Sequence, residues 1–545
     1  MSDKNNKIFT MINRIIMLYL KSMMFTKNRL FRTSNNRNKG EIKYMSELFQ
    51  QLQPHLDKIY AYRTAMVMLS WDNSTIAPKE AIEFTSKAIG ILSGEDYNAF
   101  INKEVEELLE KLSKEEEQEK LSLYEKAIVK NMQKEFRNLR LIPAEEFQAF
   151  QMVLAKAYPV WEQAKNTNNY QLYAPVLEEI ISYSKKFANY KKKEGQQLYD
   201  VFLDEHEGGF TMEILDTFFG KLREKLVPLV KKVCKKPNHI SNEFLHETYD
   251  IETQKKLSQF LAEYIGFDFN RGVMAESAHP FTTNLHNHDV RITNHYKENK
   301  LEDAIFSVIH EGGHALYEMG IDDEITTTPI GGGTSMGMHE SQSRFYENCL
   351  GRSLEFWKLI FGKVKEFFPK QLADITLEDF YHAINYSTPS LVRTEADELT
   401  YAFHVMIRYE IEKMIFNGEV NVADLPKVWN QKYEEYLGVI PDSDTRGILQ
   451  DMHWAGGSFG YFPSYALGSA IAAQLFHYME SVMPIKEYLE QGNLVPIREF
   501  LKEHIHKFGG AKTTQELLKE TTGEEFNPDY YIAYLTEKYT KLYEL

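Results

Sequence analysis

Two histidines and one glutamate, spaced for metal-dependent chemistry, lie in the five-residue segment His-Glu-Gly-Gly-His that spans 310–314. In a helix, residues four positions apart lie on one face, so His310 and His314 can both reach one ion. Glu311 lies beside them, where its carboxylate can accept a proton from a water that zinc has acidified. The segment therefore predicts a zinc-dependent hydrolase with Glu311 as general base. Two surface histidines that flank a glutamate by chance are the alternative.

A catalytic zinc site has three protein ligands and one open position, so a third ligand is needed. Glu340 lies 26 residues after His314, in the stretch His-Glu-Ser-Gln of 339–342, and the pattern predicts that it opens a second helix. The glycine-rich segment 330–337 is flexible enough to fold Glu340 back beside the first helix. Spacing alone leaves three other acids open as the third ligand, namely Glu318, Glu324 and Glu347.

The element that must position the two histidines is predicted to be a helix over 301–319. Apolar residues recur there at helical spacing, and Gly320 marks the predicted end. Gly312 and Gly313 lie inside this helix, where each costs roughly 1 kcal/mol relative to alanine. Such a cost indicates that another element packs close to the backbone at these two positions.

The rest of the chain is predicted to be mostly helical, with a small β element. Residues 289–296 alternate polar and β-branched side chains, as a half-buried strand does. Neither an internal repeat nor a clear linker interrupts the pattern, so we expect one catalytic domain over 45–545. Helical periodicity covers 143–165, 169–194, 211–235, 252–264, 392–416, 421–437 and 463–480, and the charged stretch 101–139 is interpreted as solvent-facing helices.

Charge and composition narrow the class of protein. The formal net charge is −16 over 545 residues, although residues 1–44 carry ten Lys/Arg and two Asp/Glu. An acidic body argues against nucleic acid as a partner. The two cysteines, Cys234 and Cys349, exclude a disulfide-built secreted fold and favour the cytoplasm. No apolar run reaches the roughly 18 residues that a membrane span needs.

The basic leader 1–44 is interpreted as a disordered segment outside the catalytic domain. Its apolar stretch over 11–20 is interrupted by Asn13 and Arg14, unlike the core of a signal peptide. The scarcity of acidic residues over 4–40 suits an organelle-targeting segment, which is the alternative interpretation.

Six motifs, in one order over nearly 190 residues, resemble those of the carboxypeptidase Taq family of metallocarboxypeptidases. The resemblance covers about 45–545 and shows no departure at the motif positions, whereas the leader lies outside it. The motifs are His279-Pro280-Phe281, Asp289-x-Arg291-x-Thr293, His310-Glu311-x-x-His314, His339-Glu340-Ser341-Gln342, Arg393-x-x-Ala396-Asp397 and Gln450-Asp451-x-His453-Trp454, the last being followed by Tyr461 and Tyr465.

This resemblance implies a helical, saddle-shaped domain with a deep groove and a zincin-type metal helix, usually assembled as a homodimer. It implies the removal of single residues from peptide C-termini, so peptides are the expected substrates. Zinc is the expected metal, and cobalt is expected to support activity as well. Glu340 falls in the family's third-ligand motif.

A carboxypeptidase must bind a free terminal carboxylate, and the planar fork of an arginine matches a carboxylate in bidentate fashion. Arg393 is the first candidate and Arg446 the second. The spacing of Arg393 and Asp397 also suits an ion pair within one helix, which would be the better interpretation without the resemblance. Arg291, on the predicted strand, could contact substrate or pair with Asp289.

The developing oxyanion needs a hydrogen-bond donor besides the metal. His453, Tyr461 and Tyr465 are candidates, although tyrosines are common in this chain. His279 is interpreted as structural, orienting a metal ligand from behind. His206, in the Glu-His-Glu-Gly-Gly segment 205–209, has no histidine four positions on and is predicted to lie in a loop.

Two alternative functions remain open on the sequence. A zinc endopeptidase or dipeptidase of similar helical fold would need no dedicated carboxylate-binding arginine. A metal-containing peptide-binding protein without turnover would have no use for Glu311 as a base, and the presence of Glu311 argues against it.

Overall fold

The computed structural model describes residues 46–236 and 239–545, so the predicted leader 1–44 lies outside the described residues. The described chain is mostly helical with one small sheet, as the sequence predicts. None of its helices is both long and apolar enough to span a bilayer. The helices before the sheet are α1 (Glu47–Thr75), α2 (Ile82–Phe100), α3 (Lys103–Leu112), α4 (Glu115–Gln118), α5 (Leu123–Arg140), α6 (Ala144–Asn166), α7 (Tyr170–Lys191), α8 (Leu198–His206), α9 (Met212–Val233) and α10 (Ile251–Ile265).

The sheet and the remaining helices follow. The strands are β1 (Gly272–Glu276), β2 (Thr282–His286) and β3 (Asp289–Asn294). The later helices are α11 (Leu301–Gly320), α12 (Met336–Arg344), α13 (Leu354–Phe367), α14 (Leu377–Ala383), α15 (Tyr401–Asn417), α16 (Leu425–Leu437), α17 (Phe462–Val482), α18 (Ile485–Glu490), α19 (Val495–His504), α20 (Thr514–Thr522) and α21 (Asp529–Leu542).

The charged stretch 101–139 forms α3, α4 and most of α5, and it is more than a solvated surface. Asn102 and Ser122 cap the first turns of α3 and α5, which explains where these helices begin. Their inner faces are buried in one apolar cluster that also contains residues of α1, so the expectation of simply solvent-facing helices was incomplete. The buried apolar residues of this region include Val105, Leu108, Leu109, Leu112 and Leu121.

The three strands form a mixed sheet in the order β1–β3–β2. β1 runs parallel to β3 with Gly272 opposite Val290, and β2 runs antiparallel to β3 with Thr283 opposite Arg291. The predicted strand is confirmed and ends at Asn294. Val290 and Ile292 of β3 are fully buried, which fixes one face of the sheet against the helical core.

The two glycines of the metal motif lie where other helices approach α11 closely. A Cβ on Gly312 would lie 2.3 Å from Ile265 Cδ1 of α10. A Cβ on Gly313 would lie 2.7 Å from the carbonyl oxygen of Gln342 and 2.7 Å from Ser343 Cα, both in α12. The predicted close packing is therefore confirmed, and α12 lies directly against the histidine-bearing turn of α11.

The start of α12 differs from the expectation that Glu340 opens the helix. The helix begins at Met336, because the hydroxyl of Ser335 accepts a hydrogen bond of 3.0 Å from the backbone N–H of Met338. Glu340 therefore lies in the second turn. A π-helical segment, Phe345–Leu350, follows α12 directly.

The helix predicted over 392–416 was wrong at its start, because α15 begins only at Tyr401. Arg393–Glu395 forms a short 3₁₀ turn instead. The carboxylate of Asp397 accepts hydrogen bonds from the backbone N–H groups of Leu399 and Thr400, at 2.9 and 3.1 Å. A side chain that binds these amides favours a helix start after it, so Asp397 separates the turn from α15.

The close approach of α12 to Gly313 leads to a prediction about stability. Gly313→Ala should lower the free energy of unfolding by about 1–3 kcal/mol, because the new methyl group meets backbone atoms that cannot rotate away. Gly362→Ala is the matched control, since Gly362 lies in α13 with nothing within 4 Å of the added Cβ. That control should gain up to about 1 kcal/mol. Thermal unfolding in the presence of a chelator measures both, and equal stability of the two variants would contradict the close approach.

Candidate metal centre and substrate-binding cluster

Three side chains from α11 and α12 converge on one point. One ligand atom each from His310, His314 and Glu340 lies within 4.8 Å of the other two. Glu340 Oε2 is 3.6 Å from His310 Nε2 and 3.5 Å from His314 Nε2. Two ligands that each lie about 2.05 Å from a metal ion in a tetrahedral site are about 3.3 Å apart, so the two measured separations are compatible with a bound divalent metal ion.

His310 has its other ring nitrogen occupied. His310 Nδ1 lies 2.8 Å from Glu347 Oε2, and Glu347 belongs to the π-helical segment. Arg344 Nη1 and Arg352 Nη2 also donate to Glu347, at 3.0 and 3.3 Å. A carboxylate that holds the Nδ1 proton leaves the Nε2 lone pair free for a metal, which is the usual arrangement behind a metal-binding histidine.

His314 is held by a second histidine. His339 Nδ1 lies 2.6 Å from His314 Nδ1, and His339 Nε2 lies 2.6 Å from Glu318 Oε1. Glu318 Oε1 also accepts from the backbone N–H of Gly333 at 3.1 Å, while Asn284 of β2 donates to the other oxygen. When the His339 Nε2–H group donates to Glu318, His339 Nδ1 is the acceptor for the Nδ1–H group of His314. His314 Nε2 then carries no proton.

Glu340 is constrained from two sides. Its Oε1 accepts a hydrogen bond of 2.7 Å from Arg344 Nε, one turn along α12, which leaves Oε2 facing the two histidines. Gly468 of α17 lies behind it, where a Cβ would be 2.4 Å from Glu340 Cγ. Because Gly468 has no side chain, the side chain of Glu340 fits between α12 and α17.

The electrostatics of the cluster favour a bound cation. Burial lowers the pKa of His314 to about 3, so this imidazole is neutral near pH 7. Burial would raise the pKa of Glu340 and of Glu347, but Arg344 and the histidines hold both well below the ordinary value. Burial lowers the pKa of His310, but Glu340 and Glu347 outweigh it and leave a net rise. The site thus holds two anionic carboxylates beside imidazole nitrogens.

Glu311 lies beside this cluster without belonging to its three converging ligand atoms. Thr282 Oγ1 of β2 donates to Glu311 Oε2 at 2.6 Å and fixes the carboxylate. Burial raises the pKa of Glu311, since only 7% of the residue is exposed. Thr282 directly follows His279-Pro280-Phe281, so that motif leads into the strand residue which orients the predicted base.

Arg393 is buried and pairs with Asp451 rather than with Asp397, so the alternative of an ion pair within one helix was wrong. Arg393 Nη2 and Nε lie 2.9 and 3.2 Å from Asp451 Oδ1. Arg408 of α15 donates from Nε to Asp451 Oδ2 at 2.7 Å. Two buried guanidinium groups therefore share one carboxylate, and the three groups together carry one positive charge.

The predicted aromatic and histidine candidates lie around Arg393. Tyr401 accepts from Arg393 Nη1 at 3.3 Å, and the guanidinium of Arg393 lies 4.7 Å from the centre of the Tyr465 ring. His453 Nε2 is 3.3 Å from the Tyr465 hydroxyl. Tyr461 lies near both, with its ring centre 5.3 Å from that of Tyr465 in an edge-to-face contact and 5.5 Å from that of His453.

The metal cluster and the Arg393 cluster meet at Tyr401. The guanidinium of Arg344, which binds Glu340, lies 4.3 Å from the centre of the Tyr401 ring. The Tyr401 hydroxyl in turn contacts Arg393. The structure therefore brings the predicted ligands, His453, Tyr461, Tyr465 and Arg393 into one continuous network.

Three other candidates have different surroundings. Arg446 is exposed and its guanidinium pairs with Asp442 at 2.6 Å. Arg291 pairs with Asp289 at 2.8 Å and lies 4.9 Å from the centre of the Trp71 ring. His279 is exposed, and its carbonyl accepts a hydrogen bond of 2.6 Å from the Ser277 hydroxyl. None of these contacts involves a residue of the metal cluster.

His206 corrects another expectation, because it ends α8 instead of lying in a loop. Its ring centre lies 5.1 Å from that of Tyr461. The next residue, Glu207, is fully buried and accepts a hydrogen bond from the backbone N–H of Gly337 in α12. A segment with no predicted function therefore supports both Tyr461 and the helix that carries Glu340.

Sequence reasoning missed the residues that orient the ligands. Glu347 was weighed only as a rival ligand, although its position seven residues after Glu340 puts both on one helix face. His339 precedes Glu340 and could have been noticed for its imidazole alone. The pairing of Asp451 with Arg393 joins residues 58 positions apart and has no local signal.

The shared carboxylate generates the second prediction. Asp451→Asn should lower the free energy of unfolding by about 3–5 kcal/mol, because it leaves two buried guanidinium groups without their counter-charge. Asp442→Asn is the matched control, since the Arg446–Asp442 pair is exposed, and it should cost less than about 1 kcal/mol. Urea unfolding compares them, and equal losses would show that Asp451 does not balance the buried cations.

Comparisons with known proteins identify the family of this chain. The family model for the carboxypeptidase Taq (M32) metallopeptidases matches residues 51–539. Carboxypeptidase 1 of Bacillus subtilis is 43% identical over 503 residues, covering 92% of this chain and 99% of that protein. Thermostable carboxypeptidase 1 of Pyrococcus furiosus is 36% identical over 499 residues, covering 91% of this chain and 99% of that protein.

A solved structure agrees as well. The crystal structure of the M32 carboxypeptidase from Deinococcus radiodurans R1 superposes with a TM-score of 0.88 at 34% identity, covering 92% of this chain and 100% of that one. The resemblance that the six motifs indicate is confirmed. The chain belongs to the carboxypeptidase Taq (M32) family of metallopeptidases.

Proposed function

We propose that this protein is a zinc-dependent carboxypeptidase that releases single residues from the C-termini of peptides. The observation that carries the proposal is the convergence of His310, His314 and Glu340 beside the buried carboxylate of Glu311. Membership in a metallopeptidase family implies a divalent metal. The names of the Bacillus and Pyrococcus relatives support the carboxypeptidase direction of cleavage.

Zinc is the metal we propose, with cobalt as a substitute, because two imidazoles and one carboxylate form the donor set of many catalytic zinc sites. When bound, zinc polarises the scissile carbonyl and makes the attacking water more acidic. His310 and His314 would hold it through Nε2, and Glu340 through Oε2. Glu347 and His339 keep the two imidazoles oriented by occupying Nδ1.

Glu311 is the general base of the proposed reaction. Its carboxylate takes one proton from the attacking water while the water oxygen bonds to the carbonyl carbon of the scissile peptide bond. The same proton then passes to the nitrogen of the leaving amino acid as the C–N bond breaks, so Glu311 returns to its ionised form. The hydrogen bond from Thr282 holds the carboxylate in one orientation throughout.

The positive charge around Arg393 supports the recognition of a free C-terminus. Arg393 and Arg408 share only Asp451, so a substrate carboxylate would neutralise the remaining charge. Of the two arginines, Arg393 is 7% exposed, whereas Arg408 is completely buried. Its Nη1 is engaged only by the 3.3 Å contact to Tyr401, which a charged acceptor would replace favourably.

The candidates for the oxyanion donor remain protonated donors near neutral pH. Burial raises the pKa of the Tyr461 and Tyr465 hydroxyls, so both keep their protons. Burial lowers the pKa of His453 to about 4, so its ring is neutral and carries a single N–H. A neutral donor suits an oxyanion because it stabilises the developing charge without being a strong acid.

The remaining expectations of the sequence stay predictions. These are the homodimer, the cytoplasmic location, and the division into a leader over 1–44 and a catalytic domain over 45–545. The match of the family model to residues 51–539 supports the position of the catalytic domain.

The role of Glu311 generates the third prediction. Glu311→Gln should lower kcat by about 10²–10⁴-fold with full metal content, because an amide cannot accept the proton of the attacking water. Glu302→Gln is the control, since Glu302 lies on the same helix near its first turn. Single-turnover rates together with metal analysis by atomic emission test the prediction. Near-normal turnover of metal-loaded Glu311→Gln would remove Glu311 from this role.

The direction of cleavage generates the fourth prediction. Arg393→Ala should lower kcat/KM for a peptide with a free C-terminus by about 10²-fold or more, because each charge-assisted hydrogen bond contributes roughly 1.5–3 kcal/mol. Arg393→Lys should rescue only part of the loss, since a point charge lacks the planar fork. Arg446→Ala is the control and should retain activity, because Arg446 pairs with Asp442 on the surface.

The same peptide as a C-terminal amide separates substrate recognition from general damage to the site. The wild type should cleave the free acid much faster than the amide, and Arg393→Ala should reduce this preference. Equal slowing of both forms would mean that Arg393 does not bind the carboxylate. Equal cleavage of both forms by the wild type would favour an endopeptidase.

A further inference from the structure

Glu412 is a buried carboxylate that the proposed reaction does not use. It lies in α15, is completely buried, and accepts three hydrogen bonds. Tyr199 Oη donates to Oε2 at 2.6 Å, Gly460 N donates to Oε2 at 2.7 Å, and Trp454 Nε1 donates to Oε1 at 2.7 Å. Two of the three donors come from one loop, whose ends adjoin His453 and Tyr461.

This loop, residues 454–460, connects His453 to Tyr461. Trp454 follows His453 directly, and Gly460 precedes Tyr461 directly, so Glu412 binds the loop at both ends. Gly460 has a φ of +73°. A Cβ on Gly460 would lie 2.7 Å from Phe202, so α8 packs directly against the backbone at this end of the loop.

The same face of α15 also holds the segment before the loop. Arg408 lies four residues before Glu412 and donates to Gln450 Oε1 at 2.8 Å and to Asp451 Oδ2 at 2.7 Å. In the sequence, Arg408 and Glu412 look like an ion pair along one helix. In the structure each of them instead binds the backbone or side chains of 450–460.

We propose that Glu412 is a positioning residue that fixes both ends of the 454–460 loop and thereby orients His453 and Tyr461 toward the substrate. The inference rests on the proposed function, in which these two residues face the reacting peptide bond. Glu412 acts through the loop and does not itself touch substrate.

The three donors around Glu412 need an acceptor at both oxygens, and they partly offset the burial that raises its pKa to about 7. Both of its oxygens face donors, since Oε1 accepts from Trp454 and Oε2 accepts from Tyr199 and Gly460. An amide of the same shape would present an NH₂ group to one of these positions, where donor would face donor. Glu412→Gln therefore removes at least one of the hydrogen bonds that hold the ends of the loop, without changing the volume of the side chain.

The test compares Glu412→Gln with Tyr199→Phe in the metal-loaded enzyme. Tyr199→Phe removes the donor from α8 and keeps both hydrogen bonds to the loop, so it controls for the loss of a buried hydrogen bond. Hydrogen exchange, measured on a proteolytic peptide that covers 453–461, reports on the loop without reference to activity. Kinetics on a dipeptide with a free C-terminus give kcat and KM, and metal analysis shows whether the metal centre is intact.

Glu412→Gln should accelerate exchange of the 453–461 peptide and lower kcat by about tenfold or more, with KM and metal content close to the wild type. Tyr199→Phe should leave loop exchange and kcat close to the wild type. If Glu412→Gln does not fold, Trp454→Phe takes its place, because it removes the hydrogen bond to Oε1 while an aromatic ring stays at this buried position, and it should give a smaller change in the same direction. Unchanged exchange in these variants would overturn the inference.

His453→Ala distinguishes a failure of this inference from a failure of the proposed function. If His453→Ala lowers kcat while Glu412→Gln only loosens the loop, Glu412 does not position His453 and the inference is overturned. If His453→Ala leaves kcat unchanged, the proposed role of His453 fails, and with it the catalytic consequence inferred for Glu412.

Discussion

The burial of four carboxylates where α11 and α12 cross is the constraint on which the site depends. Glu311, Glu318, Glu340 and Glu347 are each no more than 7% exposed. Removing one such charge from water costs several kcal/mol unless opposite charge and hydrogen bonds replace the solvent. Arg344 and Arg352 supply part of that compensation, and the histidines supply donors. A divalent cation between His310, His314 and Glu340 would supply much of the rest, so the same burial that opposes folding favours metal binding.

The buried carboxylates give the metal centre an excess of negative charge, and a region with an excess of positive charge lies next to it. Arg393 and Arg408 share the carboxylate of Asp451, and Tyr401 contacts both Arg393 and Arg344. In the proposed function, a peptide with a free C-terminus would satisfy both regions at once, with its terminal carboxylate at Arg393 and the carbonyl of its last peptide bond at the metal. In that arrangement the buried cation at Arg393 would select the last peptide bond over internal ones. The net charge of the chain is −16, which repels a terminal carboxylate at long range, so binding that carboxylate needs a local cation.

The sequence predicted the parts of this site that depend on local spacing. The histidine pair, the strand beside it and the close packing at Gly312 and Gly313 follow from helix geometry, alternation and the cost of glycine in a helix. The partners of the histidines were not predicted, because the contacts of His310 with Glu347 and of His314 with His339 form only where α11 packs against α12 and the π-helical segment. The start of α15 was misplaced because Asp397 binds backbone amides, and helical periodicity does not register such a contact. Asp451 and Glu412 act on residues far along the chain, which only the folded structure brings together.

The most direct test of this account is the crystal structure of the zinc-loaded protein, with an anomalous difference map recorded at the zinc absorption edge. The account predicts one peak bonded to His310 Nε2, His314 Nε2 and Glu340 Oε2, with zinc–nitrogen distances of about 2.0–2.1 Å. Glu347 should remain on His310 Nδ1, and Glu311 should lie outside the coordination shell. A zinc ion bonded to Glu347 in place of Glu340, or one bound away from the two histidines, would contradict it.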